Sequence, residues 1–483
     1  MPVNEINQIP LVAVAEARTN SCLGSKSATP TLKIEAFFLR YRDHFVVLHI
    51  AMMLLFLTLI FLPLFLPEPA ENATPFNHFT LFSNYIMWGI WFPLVFLSVI
   101  FSGRSWCGLL CPMGAASEWA NKVGLKKKVP AFIRWEGMPI LSFLLITLLG
   151  QTVGVRDHPE AIAEVFGGIM LAAIIVGFVW GNRKRVWCRH FCPIGLLLGL
   201  FSRLGAVQFR PQQKKAGGEK YAERGLCPTM IDIMHKEESR HCIECFRCVH
   251  PKSKKGIRLR LRKPGEEIEQ ILTHNPNIFE VWFFFLGTGI ALGGFLWLIL
   301  PEFQVFRQVL GEWFIENGWY WVGESGPAWL MSVHPERREV FNWLDFMAIV
   351  GFMLGIMVVF SAILYSLNWL ATRMALRLGA MQDSKTVFIT LAYQFMPVAM
   401  VALVVGIGGK IFDVLSLFGV SAQGVVALKA VLFFISFIWS LWLGFRILDR
   451  LEINGSKRFL PLSCSAVGSL FIVFAWWPAI FGL

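Results

Sequence analysis

The chain has 483 residues, of which 55% are hydrophobic and 16% are charged, and its formal net charge is +12. Several apolar runs exceed the ~18 residues that indicate a membrane-spanning helix, which excludes an ordinary soluble protein. Residues 182–263 contain 20 Lys and Arg against 6 Asp and Glu, so this segment alone accounts for the positive excess. No base-reading motif accompanies the charge, which argues against nucleic acid and favours the anionic surface of membrane lipid as the partner.

The first half of the chain holds a polar tail and two similar pairs of spans. Residues 1–44 are predicted to be a cytoplasmic N-terminal tail, and residues 45–200 a four-helix membrane repeat. Lys and Arg follow the second and fourth spans, and the positive-inside rule places those ends in the cytoplasm. The four spans are predicted at about 45–67, 84–103, 138–154 and 163–181.

The two copies of the repeat end in the same cysteine motif. Residues 104–114 and 185–195 both read R-x-W-C-x-x-x-C-P-x-G. In C-x3-C the two sulfurs share one face if the segment is helical, and the following proline suits the first turn of another helix. Two such pairs supply four thiolates, the number that a [4Fe–4S] cluster needs. These cysteines are Cys107, Cys111, Cys188 and Cys192.

Three other chemistries fit these two cysteine pairs less well. A disulfide is disfavoured by the cytoplasmic placement. A catalytic dithiol prefers C-x2-C spacing. Copper held by soft thiolates has no methionine partner beyond Met113. A shared cluster is therefore the favoured interpretation.

Residues 201–277 are predicted to be a cytoplasmic insert with a second set of cysteines. Cys242, Cys245 and Cys248 form C-x2-C-x2-C, and a Cys-Pro lies upstream at Cys227. This is the pattern of half a two-cluster bacterial ferredoxin and predicts one further [4Fe–4S] cluster. Lys252 stands where the ferredoxin run would continue with a cysteine, so a second cluster in the insert is not expected. Zinc is the alternative, although it more often uses C-x2-C pairs.

The fold class expected is an all-α polytopic membrane protein of about nine transmembrane helices with a small cytoplasmic ferredoxin-like iron–sulfur insert. Residues 278–483 form its C-terminal membrane domain of about five helices. The expected location is the bacterial cytoplasmic (inner) membrane, with the N-terminus and the clusters on the cytoplasmic side. The five spans of that domain are predicted at about 279–300, 343–366, 386–408, 425–444 and 459–480.

The remaining candidate side chains have weaker signals. Cys22 and Cys464 lack partners and are interpreted as a free thiol and a small apolar filler. His49 lies inside a span, where a packing role is at least as well supported as a functional one. Histidines on the predicted outer loops are not assigned as ligands, because loop histidines are commoner than metal sites; they are His78, His158 and His334.

The paired C-x3-C-P motifs at helix ends resemble those of the NapH/NosR-type membrane polyferredoxins, a group that includes the CcoG-like copper-handling proteins. The resemblance covers about residues 40–263. It implies electron transfer at the cytoplasmic membrane by clusters that the eight cysteines bind. The chain lacks the flavin-binding domain and Ser-Gly-Ala-Thr site of NosR-like members. Its extra spans resemble the longer polyferredoxins associated with periplasmic iron uptake.

The expected function is membrane electron transfer through two [4Fe–4S] clusters, with quinone as a further candidate cofactor and no catalytic residue assigned. The donor is quinol or a soluble cytoplasmic protein. The acceptor is a periplasmic redox protein, serving either metal uptake and handling or a respiratory reductase. Two alternatives remain: a redox-gated transporter, which would use charges at span edges such as Lys410, Asp413 and Lys429, and a redox sensor.

Overall fold

The computed structural model describes residues 30–41, 44–70, 72–211, 226–233, 235–249, 257–337, 339–407 and 409–481. In this part of the chain eight helices are long and apolar enough to cross a membrane, which confirms the all-α polytopic class. They are Phe45–Phe65, Phe79–Ser102, Pro159–Val179, Ile278–Ile299, Trp343–Arg377, Ser384–Gly406, Ala422–Arg450 and Gly455–Ala475.

The third of the nine predicted spans is shorter than the others. It is the helix Met138–Thr152, whose 15 residues measure only about 22 Å, against ~30 Å of hydrocarbon in a bilayer. The chain reverses directly after it, because Gly154 has a φ of 67°, in the left-handed region that glycine favours. The repeat therefore pairs two long spans in its first copy with one short and one long helix in its second.

The most extensive helix–helix contact of the C-terminal membrane domain joins Ile278–Ile299 to Trp343–Arg377. Gly289 and Gly293 of the first helix face the second, and an added Cβ would lie 3.0 Å from the Cα of Met357 and 2.9 Å from that of Met353. This G-x3-G spacing lets two backbones approach closely inside a membrane. The packing therefore depends on the absence of side chains at both glycines.

The insert is built on a two-stranded antiparallel ribbon. Strand Val207–Pro211 pairs with strand Ile257–Leu261, and the cysteine segment lies between them in sequence. Residues 1–29 of the predicted tail lie outside the described part, but Pro30–Arg40 forms a helix. This helix packs on the insert, where the backbone N–H of Leu259 donates to the Glu35 carboxylate. The end of the predicted tail is thus a structured part of the insert.

A buried ion network joins the insert to the C-terminal membrane domain. The Arg203 guanidinium donates to Glu267 at 2.9 Å and contacts Glu280 at 2.9 Å, and all three side chains are fully buried. Arg262 also pairs with Glu267, and the Tyr393 hydroxyl donates to Glu280. Because Glu280 begins a membrane helix and Glu267 belongs to the insert, the network fixes one part against the other.

The end of the bundle opposite the cysteines carries helix Pro301–Glu316 and a small antiparallel ribbon, Val333–His334 with Glu339–Val340. Exposed tryptophans surround it, as expected for a segment at a membrane–water interface. They are Trp313, Trp319, Trp321 and Trp329.

Replacing Arg203 with alanine tests the ion network. The change leaves Glu267 and Glu280 buried without their shared cation, which we expect to lower the free energy of unfolding by about 3–5 kcal/mol. Denaturant titration in mixed micelles measures the loss. The control is Arg260→Ala, which removes an ion pair of the same insert whose arginine is 46% exposed; such a pair contributes up to about 1 kcal/mol. Equal losses in the two variants would contradict the assignment.

Candidate metal centres

The two repeated motifs fold into matched turns. In the first, the backbone N–H of Cys111 donates to the carbonyl of Trp106 at 2.9 Å. In the second, the N–H of Cys192 donates to the carbonyl of Trp187, also at 2.9 Å. Both bonds span five residues, the wide turn of a π-helix. The sequence repeat is therefore a structural repeat down to individual hydrogen bonds.

The proline that follows each cysteine pair begins a helix, as the sequence predicts. Pro112 is the first residue of Pro112–Val123, and Pro193 is the first residue of Pro193–Phe201. Proline has no N–H to lose at this position, and its fixed φ is already helical. Each second cysteine is thereby held at the start of a rigid helix.

Each motif places its arginine against the glycine of the other motif. A Cβ added to Gly114 would lie 3.1 Å from Nη1 of Arg185, and one added to Gly195 would lie 3.5 Å from Nη2 of Arg104. An added side chain at Gly114 would crowd the guanidinium of Arg185, and Gly195 lies in ordinary contact distance of Arg104. The two motifs interlock reciprocally.

This interlocking brings four thiols into one buried group. Burial raises the pKa of Cys111 to about 12 and that of Cys188 to about 11, and the nearby Cys107 thiol adds to both rises. Burial also raises the pKa of Cys192 well above its ordinary value, and the other three thiols of the group contribute. Cys107, Cys111, Cys188 and Cys192 therefore converge, as the sequence predicts, in a place where thiolates need compensating positive charge.

The two motif arginines supply part of that compensation. Arg104 and Arg185 are 2% and 1% exposed. Burial alone would lower the pKa of Arg104, but the thiols of Cys107 and Cys192 outweigh it and hold the pKa above the ordinary value. Four thiolates around an oxidised [4Fe–4S] core carry a net charge of about −2. Two buried guanidinium groups oppose that charge, and Arg185 also pairs with Glu118.

The insert cysteines form a second group. Burial raises the pKa of Cys248, and the neighbouring thiols of Cys242, Cys245 and Cys227 raise it further. Cys227, the cysteine upstream of the C-x2-C-x2-C loop, therefore lies close to that loop. Within that loop Glu244 and Phe246 have φ values of 50° and 56°. Where right-handed and left-handed backbone conformations alternate, successive N–H groups point towards one centre. This arrangement is found around Fe–S clusters.

Packing holds this strained loop. The Phe246 ring stacks on Phe38 with centroids 3.8 Å apart and meets Phe209 edge-on at 4.8 Å. A non-glycine residue in the left-handed region costs about 1–3 kcal/mol, which such contacts must offset. Phe38 comes from the N-terminal helix, so that helix supports the second site directly.

A buried lysine accompanies the second group. Lys236 is 6% exposed. Burial would lower its pKa, but Cys242, Cys248 and Glu244 outweigh burial and raise it. In the sequence Lys236 is one of many basic residues in its segment. Its position six residues before Cys242 is the one signal that marks it.

The two cysteine groups are direct neighbours. A Cβ added to Gly108 would lie 2.1 Å from the carbonyl oxygen of Ile243 and 3.0 Å from the Cα of Cys245. The charge of Arg185 acts on both Cys188 and Cys245. The backbones of the membrane motif and the insert loop thus meet with no side chain between them.

A carboxylate ties the same two segments together. Glu118 accepts from Nε of Arg185 at 2.7 Å and pairs with Arg247 of the insert. Burial alone would raise the pKa of Glu118, but the two arginines hold it at about 2. Glu118 is therefore ionised at neutral pH and links the membrane motif to the insert.

The spacing of the thiols discriminates between metals. Four thiolates on one zinc ion, each at ~2.3 Å, would lie about 3.8 Å apart. All eight cysteines are described, yet no three of them have sulfurs within 4.8 Å of one another. Wider spacing fits a cube of iron and sulfide, which holds its four cysteines at its corners. The donor sets therefore fit iron–sulfur binding better than zinc.

The remaining candidates take structural places. Cys464 lies 3.7 Å from the sulfur of Met374, within the packed C-terminal domain. His49 is buried and contacts the backbone of Gly108, so it packs beside the first motif. Cys22, Lys252 and the side chain of Asp413 lie outside the described part.

Comparison with known proteins agrees with this geometry. A family model described as "4Fe-4S binding domain" matches residues 85–130 and 165–211, the two copies of the repeat with their motifs. An uncharacterized protein of Methanocaldococcus jannaschii is 28% identical over 156 residues, which cover 31% of this chain and 61% of that protein. No solved structure matches.

Two named relatives point the same way. The ferredoxin-type protein NapH of Haemophilus influenzae is 24% identical over 32% of this chain and 62% of its own length. The regulatory protein NosR of Stutzerimonas stutzeri is 21% identical over 34% of this chain and 26% of its own length. The chain thus spans less than two thirds of these relatives. Over about a third of its length the chain is thus similar to membrane proteins of the NapH/NosR type, and within that part it matches a 4Fe–4S binding domain.

Proposed function

We propose that this protein carries electrons through two [4Fe–4S] clusters at one face of the cytoplasmic membrane. The first cluster is bound by the motif cysteines and the second by Cys227 and the C-x2-C-x2-C loop. The adjacency of the two groups, with Gly108 against Cys245, carries the proposal. Electron transfer between clusters favours close approach through packed backbone, and a purely structural metal site has no need of it.

The electrons need another carrier to cross the bilayer. Both cysteine groups lie at the same end of the bundle, and the hydrocarbon core is ~30 Å thick. We propose quinol or a soluble cytoplasmic protein as the donor. A cleft of ≈ 60 Å³ reaches Cys188 between Trp135, His190, His241 and Phe279, and it offers aromatic and imidazole groups beside the first cluster.

The side of the membrane on which the electron acceptor lies is inferred from the two ends of the helix bundle. The cluster end is proposed to be cytoplasmic, because the basic residues concentrate there. The opposite end would then face a periplasmic redox protein or metal-uptake components. Service to a respiratory reductase is the second candidate acceptor pathway, and the ferredoxin-type relative supports electron transfer in either pathway.

The transporter alternative gains no support from the described contacts. Lys410 bonds to the side-chain oxygen of Asn84, and Lys429 lies over the ring of Phe412 at 5.0 Å. Both cations are therefore accounted for by packing within the bundle.

Removing one cysteine from each group tests the two clusters. We expect anaerobically purified protein to contain about eight iron and eight sulfide per chain, and Cys107→Ala and Cys245→Ala each to lose about four of both. Metal analysis and low-temperature electron paramagnetic resonance measure the change. Cys464→Ala is the matched control and should keep the full content. Unchanged iron in either ligand variant, or zinc in place of iron, would refute the assignment.

Replacing a motif arginine tests its place beside the first cluster. Arg104→Gln or Arg185→Gln removes a positive charge a few ångströms away, which makes addition of an electron harder. We expect the reduction potential of the first cluster to fall by on the order of 100 mV. Redox titration of preparations with full iron content measures it. Arg104→Lys should restore most of the potential, and the exposed neighbour Arg183→Gln should leave it unchanged. A potential that does not respond to either motif arginine contradicts their role.

Reporter fusions test the orientation. Alkaline phosphatase fused at residue 320 should be active because it reaches the periplasm, whereas a fusion at residue 250 should be inactive. A fluorescent protein that folds only in the cytoplasm should give the opposite pattern at the same positions. If both reporters show the reverse, the clusters face the periplasm and the proposed direction of electron flow is wrong.

A further inference from the structure

The end of the bundle opposite the cysteines gathers a different set of metal-ligand side chains. His158, Glu160 and His334 each present a ligand atom, and these three atoms all lie within 4.8 Å of one another. His158 precedes the helix Pro159–Val179, whose 21 residues separate it by about 31 Å from the cysteine end. These three residues have no part in the proposed electron transfer.

We propose that His158, Glu160 and His334 form a binding site for a divalent first-row transition-metal ion. Two imidazoles and one carboxylate are the donors that iron, zinc and copper accept, whereas calcium and magnesium prefer oxygen ligands alone. This site is independent of the iron–sulfur clusters and goes beyond the proposed electron transfer.

Two distant segments build the site, and both are held in place. Gly154 makes room for His158, since an added Cβ would lie 2.8 Å from Cδ2 of that ring. The backbone N–H of Ser332 donates to the carbonyl of Thr152 at 2.7 Å, which docks the ribbon carrying His334. The rings of His158 and His334 lie 3.8 Å apart and nearly parallel, at 16°. Because the lone pair of an imidazole nitrogen lies in the plane of its ring, binding one ion at ~2.0 Å from both nitrogens requires the two rings to turn out of this parallel stack.

The site is acidic around its histidines. Glu339 lies 3.1 Å from Nε2 of His158, and Glu336 lies 3.3 Å from Nδ1 of His334. Both carboxylates are placed either to join the ion as ligands or to orient the imidazoles that bind it. Hydrogen bonds from carboxylates to ligand histidines are a common support of metal sites.

Arg337 holds His158 by a hydrogen bond that a bound ion would have to break. Its guanidinium lies 2.7 Å from Nδ1 of His158, and because arginine only donates, that nitrogen accepts and the ring proton sits on Nε2. An ion at Nε2 moves the proton to Nδ1 and breaks this hydrogen bond, whereas an ion at Nδ1 displaces the arginine. In either case Arg337 retains its contact with Glu68, at 3.1 Å. Arg337 therefore competes with the metal for His158.

Zinc binding to the intact, cluster-loaded protein tests the site. The protein carries a tag without histidine, is freed of loose metal with a chelator, and is dialysed against micromolar Zn²⁺. We expect one zinc per chain, with nitrogen and oxygen ligands at ~2.0 Å in the X-ray absorption spectrum and no sulfur at ~2.3 Å. That spectrum distinguishes this site from zinc at emptied cysteine sites.

Variants then identify the ligands and the competitor. Glu160→Gln and His334→Ala should weaken zinc binding at least about tenfold, and Glu160 is exposed, so its variant should fold normally. Arg337→Met should tighten binding about tenfold, because a charged hydrogen bond no longer holds His158. His78→Ala, at the same end of the bundle, should change nothing. Absence of zinc, sulfur ligands in the spectrum, equal binding by Glu160→Gln, or equal loss in His78→Ala would overturn the proposal.

Discussion

The burial of four cysteine side chains, which are thiolates in the proposed cluster, together with two guanidinium groups is the constraint on which the first half of the molecule depends. A charge removed from water costs several kcal/mol unless opposite charge and hydrogen bonds surround it. Arg104 and Arg185 meet this requirement across the repeat, since each stands against the glycine of the other motif. Neither motif is complete alone, because each provides two sulfurs and the cation that faces the partner's turn. The membrane repeat exists to bring the two halves together.

The insert is fixed by a second set of buried charges. Arg203 connects Glu267 of the insert to Glu280 of a membrane helix, and Glu118 connects Arg185 to Arg247. Ion pairs of this kind add little net stability but are costly to break singly, so they favour one relative position of the parts. That position is the one in which Gly108 touches Cys245. The ion pairs of Arg203 and Glu118 thus fix the position of the insert, and the glycine at position 108 allows the close backbone contact between them.

Local spacing predicted much of this arrangement. The C-x3-C-P and C-x2-C-x2-C patterns indicate their own turns, and Pro112 and Pro193 mark helix starts, because these signals act over a few residues. Long apolar runs likewise predicted the spans. Which cysteines converge was inferred from the number of thiolates, and the structure gathers the same two groups.

Features that depend on distant segments were not predicted. Phe38 reaches Phe246 across more than two hundred residues of sequence. His158 and His334 looked like ordinary loop histidines because nothing in the sequence shows that their rings stack. The length of Met138–Thr152 was overestimated, since its apolar character continues into a turn at Gly154.

That short helix has a consequence for the surrounding lipid. Acyl chains beside Met138–Thr152 meet an apolar surface about 8 Å thinner than the ordinary hydrocarbon layer. Annular lipids along this flank must tilt or compress, at a cost of fractions of a kcal/mol per ångström, or be exchanged for species with shorter tails. The protein should therefore thin the bilayer locally, along the flank of Met138–Thr152 alone. In a membrane of mixed composition it should collect short-chain lipids there.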